Sequence, residues 1–148
     1  MPFQRASGAL CHPTSFPSRF GIGDLGKGAW DFVDWLATAK QQLWQVLPLG
    51  PTGYGDSPYQ CFSAFAGNPM LISPESLAYS GLLPRAALEG GPAFLTDRVD
   101  FGPVIAYKNG LLRQSYEHFQ TQATDEQRAG LAWFEEQNAA WLPDYALF

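Results

Sequence analysis

Four aromatic residues, Tyr54, Tyr59, Phe62 and Phe65, alternate with Thr52, Asp56, Ser57, Gln60 and Ser63 along one stretch of the chain. Rings match the C–H faces of a sugar, and the interleaved side chains offer donors and acceptors to its hydroxyls. The full stretch is Trp44-Gln-Val-Leu-Pro-Leu-Gly-Pro-Thr-Gly-Tyr-Gly-Asp-Ser-Pro-Tyr-Gln-Cys-Phe-Ser-Ala-Phe-Ala-Gly-Asn-Pro69. It opens as a short buried strand and then runs for about twenty residues with no helical or strand period, a length that compact domains keep mainly for lids and binding walls. On composition alone the same run also reads as a Gly/Pro surface loop whose rings tuck into the core.

The residues that could break a glycosidic bond are harder to find. That chemistry needs two carboxyl groups flanking the scissile bond, one protonated and one ionised. The chain has 14 acidic residues, yet Asp56 is the single carboxylate in the long loop, and Glu135 and Glu136 are adjacent on a predicted helix and diverge. Asp56 can bind a hydroxyl or hold an Asx-type turn; it cannot run the reaction alone. No catalytic residue is assigned to this chain. G-x-S-x-G, H-E-x-x-H and Walker patterns are missing from the sequence.

Gly21-Ile-Gly-Asp-Leu-Gly26 matches G-x-G-x-x-G ahead of a helix, but the proline-broken segment Pro13 to Arg19 separates it from the preceding strand, and no acidic residue stands between Asp34 and Asp56 to take a ribose. A glycine-rich turn is the reading, and a nucleotide-dependent enzyme is set aside. His12 ends the first predicted strand, at the carboxyl edge where α/β proteins place ligands, so it either lines a pocket and meets a substrate hydroxyl or simply caps and packs. His118 falls mid-helix among polar neighbours and reads as solvated.

The elements that must position these residues follow from periodicity. Ser7 to His12 is a short apolar strand stopped by Pro13 and Pro17. Ala29, Phe32, Val33, Leu36 and Ala37 make one helical face, with Asp31 and Asp34 expected near the helix start. Leu43 to Leu49 is the second strand, apolar enough to suit a parallel sheet covered on both faces. Strand, helix and strand at this spacing predict a βαβ unit with a right-handed crossover. Beyond the loop, Ser73-Pro74-Glu75 starts a short helix that Gly81 stops. Gly102-Pro103 leads into a longer helix with Ile105, Leu112 and Phe119 seven apart and Leu111 and Tyr116 beside them. Thr124-Asp-Glu-Gln127 is a capping box for a helix carrying Leu131 and Phe134. Trp141 to Phe148 begins a further apolar segment.

The chain has 148 residues, 46% of them apolar and 15% aromatic, enough for a substantial core. A formal net charge of -5 and no Lys/Arg run argue against nucleic acid and anionic membranes as partners. Met1-Pro-Phe-Gln-Arg-Ala-Ser-Gly8 lacks the apolar core of a secretory signal, and no segment is long enough to span a bilayer. Cys11 and Cys61, with no CxxC or Cys/His cluster, read as two buried free thiols in a reducing compartment, so a cytoplasmic location and no metal are expected.

Leu10-Cys-His-Pro-Thr-Ser15, Gly21 to Gly26, Trp44 to Gln60 and Phe62-Ser-Ala-Phe-Ala-Gly-Asn-Pro69 strongly resemble the N-terminal region of the 4-α-glucanotransferases, or amylomaltases, of glycoside hydrolase family 77. The resemblance is dense from residue 8 to 72, looser through the helical second half, and returns in Trp141 to Phe148. It implies an α/β fold, the first part of a (β/α)8 TIM barrel with two parallel strands and a crossover helix, plus a mostly helical insertion after the second strand. Residues 1–72 would supply the barrel units, with the active-site loop at 50–69, and 73–148 the insertion, running on into more chain. A complete barrel takes about 250 residues. Family members pass a segment of an α-1,4-glucan to the 4-hydroxyl of another, with retention through a covalent aspartyl intermediate, a glutamate acid/base and a second aspartate, and with no organic cofactor. Those carboxylates come from later barrel strands and have no counterpart here.

The resemblance assigns substrate binding instead. Tyr59 looks like the family tyrosine that stacks on the sugar beside the cleavage point, with Asp56 and Ser57 at nearby hydroxyls; Gln60, from the polar composition of the loop, and His12, from its place at the strand end, are further candidate contacts. Tyr54 resembles an aromatic of a secondary glucan groove whose partner falls at Phe101, a ring without the hydroxyl that relatives can carry. Cys61 and Met70 are given no function. A stand-alone glucan-binding module would explain the loop equally; its two open sheet edges weigh against it.

Overall fold

A computed structural model describes residues 5–147. Met1 to Gln4, part of the segment read for a signal, and Phe148, the last residue of the terminal apolar segment, lie outside the described residues. The βαβ unit forms as expected: β1 (Gly8–Leu10), α1 (Lys27–Thr38) and β2 (Leu43–Gln45), with the strands parallel in the register Gly8–Leu43, Ala9–Trp44 and Leu10–Gln45. Both strands are shorter than the apolar runs predicted. The Cys11 N–H adds one more bond to the Gln45 carbonyl at 3.1 Å, after which Pro13 and Pro48, lacking N–H groups, lie beyond the paired segment. The sheet is not covered on both faces by the described residues, since Leu10 and Leu43 remain 59% and 57% exposed.

Helix α1 begins two residues before the first position of the apolar pattern, Ala29, at Lys27 after Gly26. Asp31 therefore lies beyond the first turn, where the macrodipole is weak, and pairs with Lys27 at 2.6 Å. Of the predicted face, Ala29 and Leu36 are buried and Phe32 is half-buried among Phe16 and Trp44, with ring centroids 5.2 and 5.3 Å away; Val33 and Ala37 stay exposed.

After the long loop come α2 (Pro74–Tyr79), α3 (Phe101–Gln122), α4 (Asp125–Gln137) and α5 (Leu142–Leu147). The Ser73 hydroxyl caps α2 with Pro74 in its first turn, Gly81 follows in the left-handed region at φ +73°, and the Thr124–Gln127 capping box forms in full. On α3 the buried stripe is Val104, Lys108, Leu111 and Ser115, one position away from the predicted Ile105–Leu112–Phe119 line, whose members are half-buried. Tyr116 is exposed, His118 is half-buried rather than solvated, and Leu131 and Phe134 on α4 are exposed. No described helix is long and apolar enough to cross a membrane.

The core sits where the glycine turn, the loop exit and α3 meet. One cluster joins Phe20, Leu83 and Leu111, a second Ile22, Met70 and Val104. Gly21 sits between them at φ +77°, and a Cβ there would come within 2.5 Å of the Phe94 ring and 2.7 Å of Val104 Cγ2. Gly21→Ala is expected to cost about 2–5 kcal/mol, the sum of a left-handed alanine and an overpacked core. Urea unfolding of the longer protein that contains the chain measures it; a loss under about 1 kcal/mol would mean the turn relaxes freely.

Candidate functional site: a hairpin of exposed rings

The long loop is more ordered than its sequence period implied. Thr52 and Cys61 form an antiparallel bridge, the Gly53 N–H donates to the Gln60 carbonyl at 3.0 Å, and the Phe62 N–H donates to the Pro51 carbonyl at 3.2 Å. The tip is built from two tight turns. Gly53 accepts from the Asp56 N–H at 3.2 Å, with Gly55 and Asp56 both left-handed at φ +80° and +53°. Ser57 then accepts from the Gln60 N–H at 3.0 Å across Pro58, a residue suited to the second position of a turn. Aspartate is one of the few side chains that tolerate a left-handed backbone. The stem closes where the Asn68 N–H meets the Leu49 carbonyl at 2.8 Å, and Gly50 is placed so that any Cβ would lie 2.8 Å from the Ser63 carbonyl oxygen.

This hairpin brings five of the seven expected site residues together and holds their rings outward. Tyr54 is 97% exposed and Tyr59 73%, while Asp56 and Ser57 are half-buried and Gln60 is exposed. The Ser57 hydroxyl accepts from the Tyr59 N–H at 3.3 Å, which orders the backbone carrying that ring. The rings do not tuck into the core. Phe65, 72% exposed, stacks on Trp141 at 5.8 Å between ring centroids, linking the loop to the start of α5.

His12 and Phe101 lie outside the hairpin, on other elements. His12 lies two residues beyond β1 and caps the short turn Pro13–Ser15: its Nδ1 meets the Thr14 hydroxyl at 2.7 Å and accepts from the Thr14 N–H at 3.3 Å. Its Nε2 is 3.4 Å from the Pro48 carbonyl, so the ring touches the entry limb of the loop. Phe101 opens α3 and packs on the Ile22–Met70–Val104 cluster, which turns part of that ring to a core role. A hollow of about 520 Å3 at the loop base is walled by Leu25, Leu49, Ile72 and Leu77, and a larger one of about 760 Å3 lies between Thr14–Ile22 and Leu95–Val99. Neither is lined by Tyr54, Asp56 or Tyr59, so the hairpin tip stands clear of both.

The glycine turn is structural, and it carries a pair that the periodicity did not reveal. Asp24 accepts from the Gly26 N–H at 2.9 Å and faces Lys108 Nζ at 3.5 Å; Lys108, wholly buried, also donates to the Met70 carbonyl at 2.7 Å. Burial pushes the Asp24 carboxyl above its ordinary range, an effect that Lys108 and the Gly26 amide partly offset. Burial likewise lowers the Lys108 ammonium, partly offset by Asp24. No spacing marked the pair, because Lys108 lies on the 104–108–111–115 stripe rather than on the more apolar 105–112–119 line. Cys11 and Cys61 are free but half-buried, not buried, and no group of three or more His, Cys, Asp or Glu among the described residues could hold a metal.

A hairpin of this kind can bind a polyhydroxylated ligand through ring faces and short polar groups; Asp56 is its only carboxylate. Residues 11–148 match the family profile described as 4-alpha-glucanotransferase, glycoside hydrolase family 77. The chain is 52% identical over 145 residues to the 4-alpha-glucanotransferase of Synechocystis sp., covering 98% of this chain and 29% of that protein. It is 51% identical over 148 residues to the Thermus thermophilus 4-alpha-glucanotransferase, again 29% of that protein. The solved amylomaltase from Streptococcus agalactiae, in complex with acarbose, superposes with a TM-score of 0.86 at 36% identity, over 97% of this chain and 28% of that one. The chain thus spans about 29% of the length of these curated relatives.

Proposed function

The chain belongs to the 4-alpha-glucanotransferase family, with the fold of the first part of an α/β barrel, and on that premise we propose that it is the substrate-gripping portion of such an enzyme. The whole protein would transfer a segment of an α-1,4-glucan to the 4-hydroxyl of another glucan or of glucose, with retention. Tyr59 stacks on the donor sugar, Asp56, Ser57 and Gln60 bind its hydroxyls, and Tyr54 with the exposed part of Phe101 serves a secondary groove. His12, whose ring reaches the Pro48 carbonyl at the loop entry, meets a substrate hydroxyl there. Residues 1–72 contribute barrel units and 73–148 the helical insertion, while the acid/base and nucleophilic carboxylates lie outside this chain. Free, half-buried Cys11 and Cys61 support a reducing, cytoplasmic setting. No organic cofactor enters the reaction.

The observation that carries the proposal is the ordered 51–62 hairpin, whose tip presents Tyr54 and Tyr59 to solvent around Asp56. Incubation with maltotriose tests it. The 148-residue chain is expected to release no glucose, and the longer protein that contains it to disproportionate the trisaccharide. Glucose release by the pure chain would end the assignment of chemistry elsewhere. A self-sufficient binding module would instead unfold cooperatively as a monomer and bind maltooligosaccharides unaided; exposed Leu10 and Leu43 on the two-stranded sheet favour the enzyme reading.

A further inference from the structure

The exit of the glucan-binding hairpin is tied to the rest of the molecule at one buried point. The Asn68 side chain caps a short helical turn, Pro69–Leu71, by accepting from the Met70 N–H at 2.9 Å. The carbonyl oxygen of the same Met70 receives the Lys108 ammonium at 2.7 Å. Asp24 lies 3.5 Å from that nitrogen, and the Leu25 N–H reaches the Leu71 carbonyl at 2.9 Å. Three segments distant in sequence, the glycine turn, the hairpin exit and α3, therefore converge on Lys108, which is 0% exposed. A lysine is buried so fully only where its ammonium is satisfied, and here one of its partners is the backbone that leaves the binding loop.

We propose that Lys108 and Asp24 are positioning residues for the glucan-binding hairpin, holding its exit stem so that Tyr59 and Asp56 meet the sugar in a fixed pose. The proposal rests on the functional reading above. It makes the helical insertion part of the binding apparatus: α3 sets the loop through Met70, with neither charged group touching substrate.

The test uses Asp24→Asn/Lys108→Gln in the full-length protein. Both charges go together, so no lone buried charge remains. The amide oxygen introduced at position 24 can still accept from the Gly26 N–H, but a glutamine side chain is one atom too short to replace the ammonium at the Met70 carbonyl. The expected result is a KM for maltotriose raised about fivefold with kcat within about twofold, the split of a loosened binding loop. Amide exchange across residues 46–72 should quicken while that of α1 is unchanged. Wild-type KM, or a fall in kcat alone, overturns the proposal. Should the double variant fail to fold, exchange in the wild type decides. The Met70, Leu71 and Ile72 amides should open in the same cooperative unit as residues 104–115 of α3. Faster opening at 70–72 than in α3 refutes the anchoring. A wild-type protein without transfer on maltotriose would refute the functional reading and leave this exchange measurement to judge the anchor by itself.

Discussion

Replacing Lys108 by methionine should destabilise the protein by about 3–5 kcal/mol, the cost of leaving a buried charge without its partner. Methionine fills much of the same space, so lost packing contributes little. The loss is electrostatic: Asp24 keeps the Gly26 amide but loses the ammonium at 3.5 Å, and the Met70 carbonyl loses its donor. Urea unfolding of the full-length protein at neutral pH gives the number, and a loss below about 1 kcal/mol would show that the pair is dispensable. Its pH dependence has a definite sign. With its counter-charge gone, the Asp24 carboxyl in the folded variant titrates still further above the ordinary 3.8. Folded protein then binds more protons than unfolded protein between those two values, so stability falls as pH rises through the window. The deficit of Lys108→Met relative to wild type is therefore smallest near pH 3.8 and full once pH exceeds the raised value. Adding Asp24→Asn should recover most of the loss at neutral pH.

Tyr59→Ala in the full-length protein should weaken transfer by about 1–3 kcal/mol of transition-state binding, the scale for losing an aromatic contact and its hydroxyl. That corresponds to a fall of about 5- to 150-fold in kcat/KM on maltotriose. Tyr59→Phe separates the two contributions, since the ring stays and only the hydrogen bond goes, with an expected loss of about 1 kcal/mol. Because Tyr59 is 73% exposed and its backbone is held by Ser57 and the Gly53–Gln60 bond, neither variant should alter folding stability by more than about 0.5 kcal/mol. Wild-type kinetics for the alanine variant would mean that a different ring faces the sugar. Lost stability would mean that Tyr59 is a packing residue.

Local chemistry made much of this molecule legible. The Ser73–Pro74 helix start, the stop at Gly81 and the Thr124–Gln127 capping box involve residues within a few positions of each other, so their hydrogen bonds could be read from spacing. The βαβ unit was readable for a related reason, because the change of period from apolar run to helical face and back is itself local. The clustering of Tyr54, Asp56, Ser57, Tyr59 and Gln60 was evident as well, since a single loop carries all five.

Contacts between distant segments were not readable. The stripe chosen on α3 was one position off because Ile105, Leu112 and Phe119 are the more apolar line, whereas the helix rotates to bury Val104, Lys108 and Leu111. A lysine holds that place only through Asp24 and the Met70 carbonyl, 84 and 38 residues away in sequence. The Phe65–Trp141 stack was hidden in the same way. Residue types and near-neighbour spacing thus determined the strand–helix–strand start and the composition of the long loop, since those depend on what one short segment can do, while the resemblance of whole motifs carried the family. Tertiary structure alone decided that the loop is a hairpin with its rings turned outward, that the His12 ring meets the Pro48 carbonyl at its entry, and that a buried charge pair ties its exit to α3. Those outcomes depend on which desolvated groups find partners across the chain, a condition that spacing along one segment does not carry.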